Sequence, residues 1–181
     1  MAWTNKDLER HTKGYVSDAR EWDYWMKVFD AELVAKAKAL ATKAHTGQVR
    51  KYTGDPYITH PTAVAEMVAA AGGDAAAVAA AFLHDTLEDT DLTYAEIVEA
   101  CGTEVADLVV ELTDVYTSEA YPNLNRAARK KLEVARIATT SAKAKLVKRY
   151  DIAHNTASIV ALDPAFAKVY LPEKAAVLAV L

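Results

Sequence analysis

The chain has 181 residues, of which 52% are hydrophobic and 25% charged, with a formal net charge of -4. This composition is typical of one soluble globular domain and excludes a disordered chain, while the slight negative charge argues against a nucleic-acid partner, which needs a broad basic surface. Cys101 has no second cysteine with which to form a disulfide. The longest apolar run is far shorter than the ~20 residues of a membrane span, and no apolar segment follows the polar N-terminus. We therefore expect a cytoplasmic protein without a membrane anchor.

The first half of the chain predicts helices separated by one long loop. Residues 1–30 are charged and aromatic with a partial helical rhythm, which predicts an N-terminal helical extension before a single domain over residues 31–181. An apolar stripe from about Ala31 to His45 has helical spacing. The loop that follows contains two glycines and two prolines, and Pro61 suits the first position of a helix that stops at Gly72 and Gly73.

The second half predicts further helices from their end signals. Asp74 precedes an alanine-rich helix, and Thr93 with Glu96 has the spacing of a capping box. No alternation of apolar and polar residues typical of a strand is present, so the predicted fold class is all-α. We also expect a helix from Thr103, an irregular connection over 113–124 and a basic helix over 125–139. A long helix is predicted from Ser141 to Leu162, with a core face through Leu146, Tyr150, Ala153, Ala157 and Val160. Asp163 opens the last segment, which Pro172 is expected to kink or break.

The alanine-rich helix runs directly into an acidic segment over residues 84–91. If the helix continues through Asp89, His84 lies above Glu88 and Asp85 above Asp89, because residues four apart share a face. So much negative charge beside an imidazole favours a bound cation. The plain alternative is a polar helix end with a solvated acidic turn.

Residues far apart in sequence complete a possible metal site. Asp151, Asn155 and Ser158 share one face of the long helix, and that face is polar but flanked by core. His60, His84, Asp85 and Asp151 together offer two imidazoles and two carboxylates, a set that suits Mn²⁺ or Fe²⁺ better than a thiolate zinc site does.

Four motifs in this order resemble the HD-superfamily hydrolase domain of RelA/SpoT-type proteins, and in particular the small stand-alone alarmone hydrolases. They are Ala44-His45-x-Gly47-Gln48-x-Arg50-Lys51, Gly54-x-Pro56-Tyr57-x-x-His60-Pro61, Leu83-His84-Asp85-Thr86-x-Glu88-Asp89-Thr90 and Lys145-Leu-Val-Lys148-x-x-Asp151-x-x-x-Asn155. The resemblance implies an HD-domain helical fold that binds one Mn²⁺ and removes the 3′-pyrophosphate from (p)ppGpp, leaving GDP or GTP.

The same resemblance implies a role for each matching residue. His60, His84, Asp85 and Asp151 match the metal ligands, and Glu88 with Asp89 matches the catalytic acidic pair. The positions that match substrate contacts are Arg50 and Lys51 for the base, Asn155 and Ser158 near the ribose, and Arg126 for the phosphates.

Three alternatives remain open from the sequence. The chain could prefer adenosine alarmones of the (pp)pApp type, it could be another HD-type nucleotide phosphohydrolase, or it could be a non-catalytic alarmone-binding or interaction module. An inert sensor is expected to have lost a ligand or an acidic residue, and this chain has kept them all. Self-association into a homo-oligomer is possible under each interpretation.

Overall fold

The computed structural model describes residues 19–181, and the first 18 residues of the predicted extension lie outside them. By compactness the chain divides into two units, Met1–Glu32 and Leu33–Leu181, and the extension predicted over residues 1–30 stays a prediction. Everything that follows on packing concerns the second unit. The helices of the described residues are α1 Ala19–Ala44, α2 Thr59–Ala70, α3 Ala75–Leu83, α4 Thr86–Asp89, α5 Tyr94–Cys101, α6 Thr103–Leu112, α7 Arg126–Ala138, α8 Ala142–Leu162 and α9 Pro164–Leu178.

The predicted all-α class is confirmed. Within residues 19–181 β-pairing is limited to one isolated antiparallel bridge between Val49 and Pro56, which closes the loop after α1. None of the helices in this range combines the length and the apolar composition needed to cross a bilayer.

Helix α3 lies at the centre of the core. Every residue from Ala76 to Leu83 is buried, as expected for a helix that is apolar on all sides. It contacts α2, α6 and α8, because its small alanine side chains let neighbouring backbones approach on several faces. The residue that follows α3, His84, is therefore placed in the interior of the protein.

Several predicted helix ends are confirmed. The Asp74 side chain accepts a hydrogen bond from the Ala77 amide at the start of α3, and Thr93 and Glu96 form a reciprocal capping box at the start of α5. Gly72 adopts a φ of 83°, in the left-handed region that glycine tolerates, where α2 ends. These local signals determine where α3 begins.

The condition considered from the sequence, a helix that continues through Asp89, is not met, because the chain leaves helical hydrogen bonding at His84 and Asp85. There the His84 ring bonds the Ala81 carbonyl at 2.8 Å, and the Thr86 hydroxyl bonds the Leu83 carbonyl at 2.7 Å. These side chains compete for carbonyls that the next turn of helix would use. A separate short helix, α4, then carries the acidic pair.

Three smaller predictions also differ from the structure. Thr59 rather than Pro61 opens α2, so Pro61 occupies the third position of its first turn, where a missing N–H still breaks no helical bond. Helix α9 continues through Pro172, so the predicted break is absent and the alternative of a kink stays a prediction. On α8, Leu146 and Tyr150 pack against the core, but Ala153, Ala157 and Val160 are exposed and the buried positions include Ala144, Val147, Asp151, Ile152 and Ile159.

The face of α8 is rotated towards Asp151 for a physical reason. The N-terminal half of this helix packs on the core, whereas Ile159 in its C-terminal half packs on Ala167 and Tyr170 of α9. Between them, the buried Asp151 carboxylate faces the imidazole of His60 at 3.3 Å. Burial of a charge requires such a partner, so the polar face turns inwards.

We predict that the cap at Asp74 contributes to stability mainly by its hydrogen bond. Asp74→Ala should lower the free energy of unfolding by about 1 kcal/mol, measured as a shift of the urea midpoint. Asp74→Asn is the control, because asparagine caps equally well but loses the ion pair with Lys143. Equal losses in the two variants would assign the effect to the ion pair instead.

Candidate metal centre and active site

Four side chains from α2, α8 and the turn after α3 converge on one point. The Nε2 atom of His60 lies 3.5 Å from Asp85 Oδ2 and 3.3 Å from Asp151 Oδ1. The Nε2 atom of His84 lies 3.2 Å and 3.7 Å from the same two oxygens. The nitrogen and oxygen atoms that metal ions bind therefore face one another, and His60, His84 and Asp151 can each offer one ligand atom to a shared ion.

The two histidines fit a metal ion because in each ring Nδ1 faces a hydrogen-bond partner and Nε2 is left for the ion. Nδ1 of His84 bonds the Ala81 carbonyl at 2.8 Å, so this nitrogen carries the proton and Nε2 presents a lone pair. Nδ1 of His60 lies 2.8 Å from Nδ1 of His154. Both Nε2 atoms are buried without a hydrogen bond of their own, which is the arrangement expected of metal-ligating imidazoles held by a second shell.

The charges of the cluster also favour a cation. Burial alone would raise the pKa of Asp85 and of Asp151, but His84 and, for Asp151, Lys148 hold both carboxyls well below their usual range. Burial alone would lower the pKa of His84, and the charges of Asp85 and Asp151 instead raise it well above its ordinary value. The cluster thus holds a proton strongly, and a divalent ion can take the place of that positive charge.

The acidic pair Glu88 and Asp89 lies next to these ligands on α4. Glu88 accepts a hydrogen bond from the backbone amide of Asp114. Asp89 lies 3.4 Å from the hydroxyl of Tyr57, which donates a 2.7 Å bond to Asp85. The two carboxylates are therefore held by different neighbours, one by the loop after α6 and one by the loop after α1.

Partial burial is the main cause of the raised pKa values of Glu88 and Asp89. It raises the pKa of Glu88 to about 7, with a smaller contribution from the charge of Asp114. It also raises the pKa of Asp89, with help from Asp85. The surroundings of the two carboxylates, rather than the charge of one on the other, are the leading causes of both shifts in pKa.

The residues predicted to bind substrate fall into two groups. Arg50 donates a 2.7 Å bond to Asn155, which donates a 2.7 Å bond to Asp151, so this pair joins the metal cluster directly. The ammonium of Lys51 lies 4.8 Å from the centre of the Tyr52 ring. Arg50 itself lies 5.6 Å above the Tyr57 ring.

The other two predicted substrate residues are engaged within the protein. The Ser158 hydroxyl donates to the carbonyl of Asn155 one turn earlier on α8. The Arg126 guanidinium makes a double hydrogen bond with Glu173 of α9, at 2.7 and 2.8 Å. Within the part of the chain that the structure describes, neither side chain bonds one of the four candidate ligands, so the roles of Ser158 and Arg126 towards substrate stay predictions.

Three residues of the site were assigned no role from the sequence. They are Tyr57, which bonds Asp85, His154, which bonds His60, and Lys148, whose ammonium lies 3.4 Å from Asp151. Tyr57 and Lys148 stand inside the quoted motifs, and His154 stands immediately before Asn155. Position within a motif was the available signal, but only the fold shows which ligand each residue touches.

Comparison with known proteins agrees with this geometry. The sequence model described as "HD domain" matches residues 37–169. The chain belongs to the HD domain family. A chain described as a metazoan ortholog of SpoT that hydrolyzes ppGpp has a solved structure similar to this one, with a TM-score of 0.72 and 26% identity over 82% of this chain and 84% of that chain.

Two named relatives show which HD proteins this chain resembles. It is 38% identical to the guanosine-3′,5′-bis(diphosphate) 3′-pyrophosphohydrolase MESH1 of Xenopus tropicalis, over 75% of this chain and 74% of the relative. It is also 38% identical to the probable GTP diphosphokinase RSH3 of Arabidopsis thaliana, but spans only 20% of that protein. The resemblance to RelA/SpoT-type HD hydrolases is confirmed by these matches, and HD hydrolases of this type depend on a metal ion.

We predict that His154 positions His60 for metal binding. His154→Leu removes the ring nitrogen that faces His60 Nδ1, so His60 can rotate or change tautomer, and the affinity for Mn²⁺ should fall roughly 10–100-fold. Isothermal calorimetry on chelator-treated protein measures this without any assay of activity. His154→Gln keeps an acceptor for the His60 N–H and should lose less; if both variants bind Mn²⁺ as wild type does, His154 has no such role.

Proposed function

We propose that this protein is a Mn²⁺-dependent pyrophosphohydrolase that removes the 3′-pyrophosphate from (p)ppGpp-type alarmones, giving GDP or GTP and pyrophosphate. The observation that carries the proposal is the convergence of His60, His84, Asp85 and Asp151 beside the acidic pair Glu88 and Asp89. The named activity of the MESH1 relative supports the choice of substrate.

The four candidate ligands would hold the ion, and its chemistry explains their mixed composition. Two imidazoles and two carboxylates suit Mn²⁺ or Fe²⁺. A divalent ion held there supplies a Lewis acid that neutralises charge at phosphorus and lowers the pKa of water. Tyr57 and His154 keep Asp85 and His60 in place through the hydrogen bonds described above.

Glu88 is the proposed general base. A group whose pKa lies near the working pH is the most efficient base, and burial brings the pKa of Glu88 to about 7. The water oxygen forms a bond to the phosphorus that carries the ribose 3′ oxygen, and Glu88 takes the water proton. The bond from that phosphorus to the 3′ oxygen breaks, and the 3′ oxygen takes a proton from solvent water to become the hydroxyl of GDP or GTP. Asp89, held by Tyr57, orients the same water.

The nucleoside is proposed to lie against the loop after α1. The planar guanidinium of Arg50 can stack on a purine, and its bond to Asn155 places both residues next to Asp151. Lys51 and Ser158 are proposed to complete the base and ribose contacts, and Arg126 could meet phosphate on release of Glu173. A cytoplasmic location, self-association and acceptance of (pp)pApp stay predictions from the sequence.

Wild-type protein should release pyrophosphate from ppGpp, and an excess of EDTA should abolish this release. Adding back Mn²⁺ should restore more activity than adding Mg²⁺, because the histidine ligands disfavour Mg²⁺. Chromatography of products from ppGpp, pppGpp, ppApp and pppApp gives the measurement. Release of orthophosphate instead, or faster turnover of the adenosine substrates, would assign the protein to one of the alternative enzymes. If no substrate is turned over, the protein would be a binding module.

Glu88→Gln should lower kcat without loss of the metal ion. The amide keeps the size of the side chain but cannot take a proton, and general-base assistance is typically worth ~10²–10⁴-fold. Bound Mn²⁺, nucleotide affinity and kcat are measured on the same preparation. Loss of the metal in this variant would indicate that Glu88 is a ligand. A normal kcat would indicate that the acidic pair is only a solvated turn.

The pH profile provides the control for this prediction. The raised pKa of Glu88 means that the carboxyl is neutral, and inactive as a base, below about pH 7. Activity of the wild type should therefore fall as the pH decreases through this region, at a point that the positive charge of a bound divalent ion would shift downwards. Glu88→Gln should lose this acidic limb, whereas Glu119→Gln, which changes an exposed acid on the 113–124 connection, should keep it.

A further inference from the structure

The connection between α6 and α7 begins with three consecutive backbone N–H groups that donate to carboxylates. The N–H of Asp114 donates to Oε1 of Glu88. The N–H groups of Val115 and Tyr116 both donate to Oε2 of Glu133, at 3.2 and 3.3 Å. An irregular segment whose backbone is bound at successive residues opens less readily than a free loop. The start of this connection is therefore held against both α4 and α7.

Glu133 is itself held in place by further bonds. The residue is only 4% exposed, and its Oε1 accepts a hydrogen bond from Nε of Arg136 at 2.7 Å. Arg136 also donates to the carbonyl of Glu111 near the end of α6, at 2.8 Å. Hydrogen bonds between charged groups away from water are strong, and their loss is costly. Glu133 is therefore a firm anchor for the start of the connection.

The side chain of Asp114 joins the same segment to α7 and α8. Its Oδ2 lies 3.4 Å from the ammonium of Lys130 on α7, and its Oδ1 lies 3.8 Å from that of Lys148 on α8. Burial alone would raise the pKa of the Asp114 carboxyl, and the charges of Lys148 and Lys130 instead hold it below its usual value. Lys148 is shared with the candidate metal centre, because its ammonium also lies 3.4 Å from Asp151.

Glu88 depends on this segment for its orientation. It lies on α4, which has only four residues and so has little rigidity of its own. The N–H of Asp114 occupies Oε1 of Glu88, and a water proton would be accepted by Oε2. The same N–H also stabilises the ionised carboxylate, because partial burial raises the pKa of Glu88 and this hydrogen bond opposes the rise.

We propose that Asp114 is a positioning residue for the general base Glu88. Its side chain, held by Lys130 and Lys148, places its own backbone N–H where that N–H fixes the Glu88 carboxylate. This inference rests on the proposed function, in which Glu88 takes the water proton. A general base has to lie within hydrogen-bond reach of that proton, and a shift of about 1 Å in a reacting group can cost on the order of 10²-fold in rate.

Asp114→Asn should lower kcat roughly 10–100-fold, because the neutral amide loses both ion pairs and releases the segment that holds Glu88. The KM for ppGpp and the affinity for Mn²⁺ should stay as in the wild type, since no candidate ligand is changed. Glu119→Gln is the matched control, because it converts an exposed acid of the same connection into its amide, and it should keep the wild-type kcat. An unchanged kcat in Asp114→Asn, or loss of Mn²⁺ from it, would overturn the proposal.

A double-mutant cycle tests whether Asp114 acts through Glu88. In the Glu88→Gln background the base is already absent, so adding Asp114→Asn should lower kcat hardly any further. A variant that only reduced the folded fraction of the protein would lower kcat by the same factor in both backgrounds. Losses that multiply in this way would therefore overturn the positioning role.

Hydrogen exchange of the Asp114 amide, followed by NMR, gives a measurement that needs no substrate. Lys130→Met removes one of the two cations beside Asp114 and leaves Lys148 in place. It should speed exchange of this amide roughly 2–5-fold, as expected for loss of one partly exposed ion pair. Lys131→Met removes an exposed lysine from the same helix and should leave the exchange rate unchanged. Unaltered exchange in Lys130→Met would contradict the role given to the Asp114 side chain.

Failure of this positioning role can be separated from failure of the proposed function. If no nucleotide is hydrolysed but amide exchange responds to Lys130→Met, Asp114 still holds Glu88 and the proposed reaction is wrong. If pyrophosphate is released and neither kcat nor amide exchange responds to the variants, the proposed reaction is retained and the positioning role is wrong.

Discussion

The structure depends on the close approach of two buried imidazoles and two carboxylates from separate parts of the chain. Buried charge is tolerated only where opposite charge or a metal ion compensates it. His60, His84, Asp85 and Asp151 meet this condition by surrounding one point, with His60 Nε2 and Asp151 Oδ1 only 3.3 Å apart. The need to bring these groups together fixes how α2, α3 and α8 pack around the core, and it explains why α8 presents a polar face inwards.

The break after α3 is the local feature that makes this convergence possible. In an uninterrupted helix, Asp85 would point about 100° away from His84 around the axis. The side chains of His84 and Thr86 bond carbonyls of the preceding turn. The α-helix is interrupted there, and the side chains of His84 and Asp85 both reach the same point. The same break moves Glu88 and Asp89 onto α4, where each finds a different neighbour.

Opposite charges lie side by side in the site. Lys148 lies beside Asp151 and Asp114, and these carboxylates raise its pKa. A metal ion would add positive charge for a polyanionic substrate while leaving Glu88 able to accept a proton. The arrangement suits hydrolysis of a phosphate ester, in which the substrate is an anion and the attacking water must lose a proton.

The sequence by itself determined the helical class, most helix ends and the identity of the candidate ligands, since periodicity, caps such as Asp74 and ordered motifs are local signals. It misplaced the interior face of α8, which follows from which buried charges find partners. It left open whether the helix continues past His84, which depends on side-chain bonds to the Ala81 and Leu83 carbonyls. His154, Tyr57 and Lys148 acquired roles only in the folded chain: His154 is 94 residues from His60, and Lys148 reaches Asp114 from a different element. Tertiary structure decided these contacts, because a hydrogen bond or charge pair between distant residues leaves no periodic trace in a single sequence.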